Sequence, residues 1–420
     1  MSADKSEKFK LTKQERNWVL YDVGNSAFTL LVSTLIPIFF NSLTAEAGMS
    51  DTKYLSIWNV ALSISTIIVA VMGPALGAFS DRRGRKKKVF AATILLGAAG
   101  CMLMGFPSRW LAFLIIFLIA RCAYQLSLVI YDSMLGDVTT DERSDDVSSQ
   151  GYAFGYIGSV IPFIICLVLY LVHGRIGLST NHAMAAGFVI VAVWWVVMSL
   201  PVLRTYEQKY FITEAESQKN LFTQLGSTLK DMYKDKRVFL FVVAFFFYID
   251  GVYTIINTST AYGKALGFSS TSLLLALLLT QFVAFPSALL FGRLARKYHA
   301  EILISVCIIA YFCIALFAVF MTKQIHFWIL AVSVGCFQGG IQSLSRSYFT
   351  KIIPSEKSGQ YFGFLDICGK GADALGSLVL ATVTTATGNK RLGVAVIASF
   401  FIVGIILFRS SVRKGREAAR

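Results

Sequence analysis

Apolar stretches of roughly 20 residues or more alternate with short polar breaks along nearly the whole chain. Twelve lie near 17–43, 54–79, 88–106, 109–135, 149–172, 183–203, 237–262, 270–294, 300–321, 326–350, 358–386 and 391–409. A helical run of that length crosses about 30 Å of hydrocarbon. In lipid it must be a helix, because unpaired backbone groups find no water there. The pattern predicts an all-α membrane protein with twelve transmembrane helices. A polar stretch from Arg204 to Lys236 divides the runs six and six. This predicts an N-terminal bundle over 1–203, a cytoplasmic linker over 204–236 and a C-terminal bundle over 237–420. Within the linker, Phe211 to Tyr233 mixes Leu, Phe and Lys at helix-like spacing. That fits either an amphipathic helix on the membrane surface or a solvated linker.

The halves carry a weak internal repeat. Tyr21-Asp22-Val23-Gly24 in span one matches Tyr248-Ile249-Asp250-Gly251 in span seven. Gln150-Gly151-Tyr152-Ala153-Phe154-Gly155 opening span five matches Gln360-Tyr361-Phe362-Gly363 opening span eleven. Both pairs fall in the register of a six-plus-six duplication, a plan that puts binding sites between the halves near the midplane.

Composition agrees: 55% of residues are hydrophobic and 15% charged, against about a quarter charged in a soluble domain. The net charge of +15 would suit a nucleic-acid partner were it not so unevenly spread. On the predicted topology 30 of the 39 Lys and Arg fall on one side, 7 on the other and 2, Arg121 and Lys370, within spans. That bias places both termini in the cytoplasm. The basic excess then reflects topology and contact with anionic lipid, not nucleic acid. The seven cysteines lie in apolar spans without metal-ligand or pairing patterns, and the four histidines form no HExxH motif. No metal, cofactor or enzymatic chemistry is expected: neither a nucleophile–base pair nor a nucleotide loop GxxxxGK[ST] is visible. The first sixteen residues are polar and basic and the following run is too long for a leader, so no cleavable signal is expected.

Charges at bilayer depth are costly and mark ion or solute paths. Asp366, Lys370 and Asp373 sit four and three residues apart in span eleven, on one helix face. Asp22, Asn25, Arg121, Asp250, Asn257, Gln281, Gln338 and Gln342 complete the intramembrane polar set. Lys370 is expected to pair with Asp366 or Asp373, and Arg121 with an acid from another span. Two readings stay open: structural pairing that fixes helix register, or a site where Lys370 and Arg121 hold a carboxylate and Asp250 an amine. Asp22, Asp250, Asp366 and Asp373 are candidate proton carriers, since burial raises a carboxyl pKa and a neighbouring cation lowers it. Among the aromatic residues, Tyr21 and Tyr248 rank first as cavity lining because they match in the repeat.

Between spans two and three the chain reads Gly77-Ala-Phe-Ser-Asp81-Arg82-Arg83-Gly84-Arg85-Lys86-Lys87-Lys88. This resembles the GxLxDRxGRKxx motif of the major facilitator superfamily. Gly77 permits close helix approach, Gly84 a tight turn, and Asp81 can cap helical N–H groups across the seam between halves. The second half reads Gly292-Arg293-Leu294-Ala295-Arg296-Lys297, with Arg296 at the Asp position, a degenerate copy. After span four comes an acidic loop: Asp137, Asp141, Glu142, Asp145 and Asp146 against Arg143. Asp132 and this loop are expected either to pair with Arg82–Lys88 as a gate or to stay solvated. Gly77, Asp81, Arg82, Gly84, Arg85 and Asp132 form the candidate gate.

Trp18-Val-Leu-Tyr21-Asp22-Val-Gly-Asn25-Ser26-Ala27-Phe28, the Tyr248–Asn257 segment, Gly339-Gly340-Ile341-Gln342-Ser343-Leu344-Ser345-Arg346-Ser347 and Phe362–Lys370 extend the likeness across nearly all spans. They resemble the vacuole-effluxer branch of that superfamily, whose yeast member exports amino acids from the vacuole. The resemblance implies a secondary transporter in a bacterial plasma membrane, exporting a small polar solute such as an amino acid, zwitterion or anion. Coupling to a proton or other cation and function as a monomer among membrane lipids are further expectations. The substrate-binding candidates are Tyr21, Asn25, Arg121, Tyr248, Asp250, Asn257, Gln342 and Lys370. Sugar or drug transport, or a non-transporting receptor or scaffold, are the alternatives.

Overall fold

One proline breaks an apolar run, whereas Pro74, Pro162, Pro201 and Pro286 lie inside continuous helices. The computed structural model describes residues 9–388 and 390–418; at 261, 265, 270, 271, 274, 371–374, 377, 381 and 390 it describes the backbone alone. The described residues form α-helices and short 3₁₀ turns, without strands. The first run is split into α1 (Lys13–Ser33) and α2 (Leu35–Glu46). The break at Thr34 precedes Pro37, which lacks an N–H and crowds the carbonyl four residues back, that of Ser33. α3 (Asp51–Ser80), α4 (Lys86–Leu103), α5 (Trp110–Ser133), the short α6 (Leu135–Val138), α7 (Asp141–Val172) and α8 (Thr180–Thr205) complete the first half. α9 (Glu214–Ser217) and α10 (Leu221–Lys234) lie in the linker. α11 (Lys236–Ala265), α12 (Ser270–Ala295), α13 (Ala300–Val319), α14 (Gln324–Ile352), α15 (Ser358–Thr387) and α16 (Lys390–Ala418) form the second half.

Among the described residues ten helical segments, α1 and α2 together counting as one, are long and apolar enough to cross a membrane. α4 and α15 fall where the other two spans are expected, but Lys86, Lys87 and Lys88 in the one and Asp366 and Lys370 in the other offset their apolar content. The acidic stretch at 141–146, expected to be a loop, is the opening of α7. Carboxylates are favourable there because they face the positive end of the helix dipole.

Buried apolar side chains gather into two large cores. One draws on residues from Trp18 to Tyr206, the other on Met232 to Phe408 with Val129. Between them α3 packs on α15, and α7 on α12 and α14. α3 and α15 meet through two small-residue pairs four apart, Gly73/Gly77 and Gly359/Gly363. A Cβ on Gly359 would lie 2.6 Å from the Gly77 carbonyl oxygen, and one on Gly363 2.6 Å from Pro74 Cα. Backbones pack directly there, as small-xxx-small faces allow.

The helix at 221–234 is real, but its buried face is mixed: Gln224, Thr228 and Met232 point inward and Phe222 and Leu229 outward. Thr228 donates to Gln360 Oε1 at 2.6 Å, tying the linker to the start of α15. Residues near both termini share one end of the bundle. Arg143 donates to the Lys10 carbonyl at 2.8 Å, Ser411 to the Arg237 carbonyl at 2.7 Å, and Arg416 pairs with Glu301 at 3.1 Å. We call this the terminal end.

Gly359→Val should wedge α3 from α15. The thermal midpoint of the purified protein should fall by several degrees, whereas Gly226→Ala, where nothing lies within 4 Å of an added Cβ, should leave it level or slightly raised. Equal midpoints for the two variants would discount the direct backbone contact.

Candidate functional site

Three clusters of charge cross the seam at the terminal end. In the first, Asp81 follows the last residue of α3 and accepts from Gly359 N at 2.8 Å and Gln360 N at 3.0 Å. These are early N–H groups of α15, which have no partner within their own helix. Asp81 thus caps a helix of the other half. Lys86 lies 3.5 Å from Asp81 and 3.5 Å from Asp137, with no exposed surface, and donates to Ser358 Oγ at 2.8 Å. Tyr206 donates to Asp137 at 2.5 Å, and Lys209 N and Tyr210 N each donate to it at 3.0 Å, so the linker entrance is fixed too. Gly84 has φ +69°, the turn its position demands.

The second cluster corrects the sequence reading of the Gly292–Lys297 copy. Arg296 makes a bidentate pair with Asp146, Nε to Oδ2 at 2.8 Å and Nη2 to Oδ1 at 2.6 Å. Gly292 packs on Ser149, as Gly77 packs on Gly359. In the repeat register Ser149 corresponds to Gly359. The second copy is therefore in use with its charge inverted: an acid caps amides on one side, and a base grips an acid near the start of α7 on the other. Lys351 pairs with Asp145 at 2.7 Å beside it, and Ser347 donates to Asp145 at 2.6 Å.

The third cluster centres on Arg346 of α14, whose side chain is 4% exposed. It donates from Nη1 to Asp132 at 2.9 Å, from Nε to Ser148 Oγ at 2.9 Å and from Nη2 to Ser148 O at 3.0 Å. Asp22 stands 3.5 Å away and accepts from Tyr131 at 2.7 Å. Asn25 reaches Asp22 at 3.4 Å. The guanidinium faces the rings of Tyr152, Trp18 and Tyr131 at 4.4, 4.7 and 5.4 Å. Of the expected gate pairing, Asp137 does meet the basic run, through Lys86, whereas Asp132 pairs with Arg346 and not with Arg82–Lys88. Arg82 and Arg85 instead lie over the Phe79 ring. Of the basic run, Lys86 pairs with carboxylates, those of Asp81 and Asp137.

Deeper along the seam Lys370 pairs with Asp366 one turn earlier on α15, as one of the two expected pairings had it. Their side chains are 16% and 21% exposed. Arg121 of α5 donates to Ser65 of α3 at 2.9 Å, and Lys370 feels the fields of both Arg121 and Asp132. The side chain of Asp373 lies outside the described residues. Asp250 is wholly buried and accepts from Gly376 N of α15 at 3.0 Å and Thr254 at 3.2 Å. Tyr21 meets Ser127 at 2.5 Å and Tyr248 meets Ser345 at 2.7 Å, both inside the half-cores with no exposed surface. Gln342 accepts from Tyr156 at 3.0 Å, whereas Asn257 is exposed on α11. Arg346, Lys86, Arg296 and Ser148 were absent from the sequence-derived site. The signal for Arg346 is that it follows an apolar run and shares a helix face with Gln342 and Gln338, four and eight residues earlier.

Two six-helix groups meeting through α3–α15 and α7–α12 define a major facilitator fold. The transporter FucP in its outward conformation superposes with a TM-score of 0.72 over 95% of this chain and 97% of that one, at 13% identity. The family described as "Vacuole effluxer Atg22 like" matches residues 12–143 and 136–420. An uncharacterized MFS-type transporter, YxiO of Bacillus subtilis, is 39% identical over 95% of this chain and 94% of its own. Autophagy-related protein 22 of Eremothecium gossypii is 24% identical over 88% of this chain and 80% of its own. The chain belongs to the vacuole effluxer family, and it is an integral, multi-pass membrane transporter of the major facilitator superfamily.

Reversing one partner of the inverted pair, as Arg296→Glu or Asp146→Arg, should raise reactivity of a cysteine placed at Ser149 with a water-soluble thiol reagent. The double reversal should bring it back, with a coupling of at least about 1 kcal/mol. Purely additive effects would remove this pair from the seam's closure.

Burial pushes the Asp81 carboxyl up to about 6 from its ordinary 3.8, against the pull of Lys86 and two backbone N–H groups. A released, hydrated Asp81 would keep the ordinary value. The capped form therefore takes up a proton that the released form does not, and its advantage is fully present below 3.8 and lost as pH rises through about 6. Acidification from pH 7 to 5 should lower cysteine reactivity at the terminal end, and Asp81→Asn should flatten that part of the profile. An unchanged profile in the variant would assign the titration elsewhere.

Proposed function

We propose that the protein exports a small polar solute, an amino acid or a related zwitterion or anion, by alternating access coupled to protons. The single observation behind this reading is the set of partly accessible ions at the seam: Asp366 and Lys370 on α15, with Arg121 and Asp132 on α5. Ions at that depth are expensive unless they serve a path. Lys370 and Arg121 offer two cationic donors for a solute carboxylate. Asp22, Asp366 and Asp373 are the acids that can exchange protons. Asp250 acts through α15, since its charge state bears on the bond to Gly376 N. Gly77, Asp81, Arg82, Gly84, Arg85 and Asp132 gate the terminal end.

The positive-inside bias supports a cytoplasmic terminal end and a plasma-membrane site. On that orientation the closed seam corresponds to an outward-facing state, the state in which FucP was captured. The family description as an effluxer supports export. Rocking of the two halves about the seam carries the solute past it.

Counterflow in proteoliposomes tests the reading. Labelled amino acid should accumulate against an unlabelled internal pool, and a pH gradient should change its rate. Lys370→Ala should raise the apparent KM at least about tenfold, the loss of one charge-assisted contact. An unchanged KM would take Lys370 out of the site, and absence of counterflow for every amino acid would overturn the substrate class.

A further inference from the structure

The pocket that Arg346 fills is built by three helices of the other half. Asp22 and Trp18 come from α1, Tyr131 and Asp132 from α5, and Ser148 and Tyr152 from α7. Arg346 alone comes from α14. Gly151 leaves the room: a Cβ there would overlap Asp22 and lie 3.0 Å from Arg346 Nη2. Two carboxylates, one serine carbonyl and hydroxyl, and three aromatic faces make a receptor for a planar cation, and a planar cation occupies it. The receptor also has an opening. Arg346 is 4% exposed, yet the Asp132 side chain is 28% exposed, toward the seam where Asp366 lies within its field.

Alternating access must at some point part α14 from α5 and α7 at the terminal end. Arg346 then leaves with its own half, and the receptor stays whole on the other. Asp22 and Asp132 are left as two neighbouring carboxylates in an aromatic box, a state that draws in a cation. On reclosure Arg346 returns and competes for the same contacts. A cation held there is displaced toward Asp132 and the seam.

Resting on the transport function proposed above, we propose that the Asp22–Asp132 pocket is the solute's cation site. Its ligand is a guanidinium or primary ammonium group of a cationic amino acid or polyamine-like solute, and Arg346 is a tethered copy of that group which expels it. Among amino acids this favours side chains like arginine's over aliphatic ones. Lys370 and Arg121 remain for the carboxylate.

Arg346→Ala empties the pocket without any conformational step. Purified Arg346→Ala should melt lower than the parent protein. Methylguanidinium chloride at low millimolar concentration should restore about 2 °C or more, saturably, where sodium chloride and tetramethylammonium at equal ionic strength do not. Asp132→Asn in the same background should abolish the rescue. Rescue by acid but not by methylguanidinium would mean a proton-only pocket and overturn the proposal. If Arg346→Ala does not fold, the parent protein decides: arginine and agmatine should exchange in counterflow at least about tenfold faster than leucine. Leucine exchange without arginine or agmatine exchange would overturn this inference and leave the transport function standing. Exchange of none of them would overturn both.

Discussion

A charge taken out of water needs a counter-charge close by, and at the terminal end of this protein several charges find theirs in the other half. Asp81 finds helix N–H groups of α15, Arg296 finds Asp146, Lys351 finds Asp145, and Arg346 finds Asp132 and Asp22. Such pairs add little net stability, because desolvation nearly cancels attraction, whereas stranding one partner in a dry site costs about 3–5 kcal/mol. That imbalance suits a seam that must part. When the terminal end opens, water enters and both partners of each pair are hydrated, so opening is cheap. When it is closed, a wrong register strands a charge, so closing is exact in geometry. An apolar seam of the same area would gain its full burial energy on closing and lose it all on opening.

The repeat shows which features the geometry requires. Tyr21 to Ser127 in the first half recurs as Tyr248 to Ser345 in the second. Gly77 against Gly359 recurs as Gly292 against Ser149. Small residues are kept because two helix backbones approach at those points. The sign of the neighbouring charge is not kept: Asp81 on one side, Arg296 on the other. A helix N-terminus already carries positive charge, so an acid at the end of α3 needs no side-chain partner on α15. An arginine at the end of α12 does need one, and Asp146 in the early turns of α7 supplies it.

Most of the spans and the Lys370–Asp366 pairing were legible because each rests on local spacing. The Gly84 turn and the reach of Asp81 across the seam were legible from one motif. What was not legible is partner choice. Arg346 and Asp132 are 214 residues apart in sequence, and Arg296 and Asp146 150 apart. Periodicity cannot join residues that far apart, so the degenerate look of the second motif and the expected pairing of Asp132 with Arg82–Lys88 both came from reading each segment by itself. The loop assignment of 141–146 failed for a related reason: a run of carboxylates looks like a connection until the helix it opens is seen. The four-residue spacing of Gly359 and Gly363, the same as that of Gly73 and Gly77, was a signal the sequence reading passed over.

The charged groups at the seam fall into two kinds, and the distinction bears on how a solute is held. Lys370 and Asp366 lie on one helix and stay together however the halves move. Arg346 with Asp132, and Arg296 with Asp146, join different halves and must separate when the terminal end opens. An intrahelical pair can hold one end of a solute throughout the cycle, because its geometry is the same in both states. A cross-seam pair offers its carboxylates in one state and withdraws them in the other. Directional movement needs at least one contact of the second kind, since a ligand held equally in both states shifts no equilibrium. The Asp22–Asp132 pocket is the cross-seam site whose vacated half keeps two acids and three aromatic faces in place. On the proposed function, Arg346, more than the Asp366–Lys370 face, is the side chain that ties occupancy to conformation.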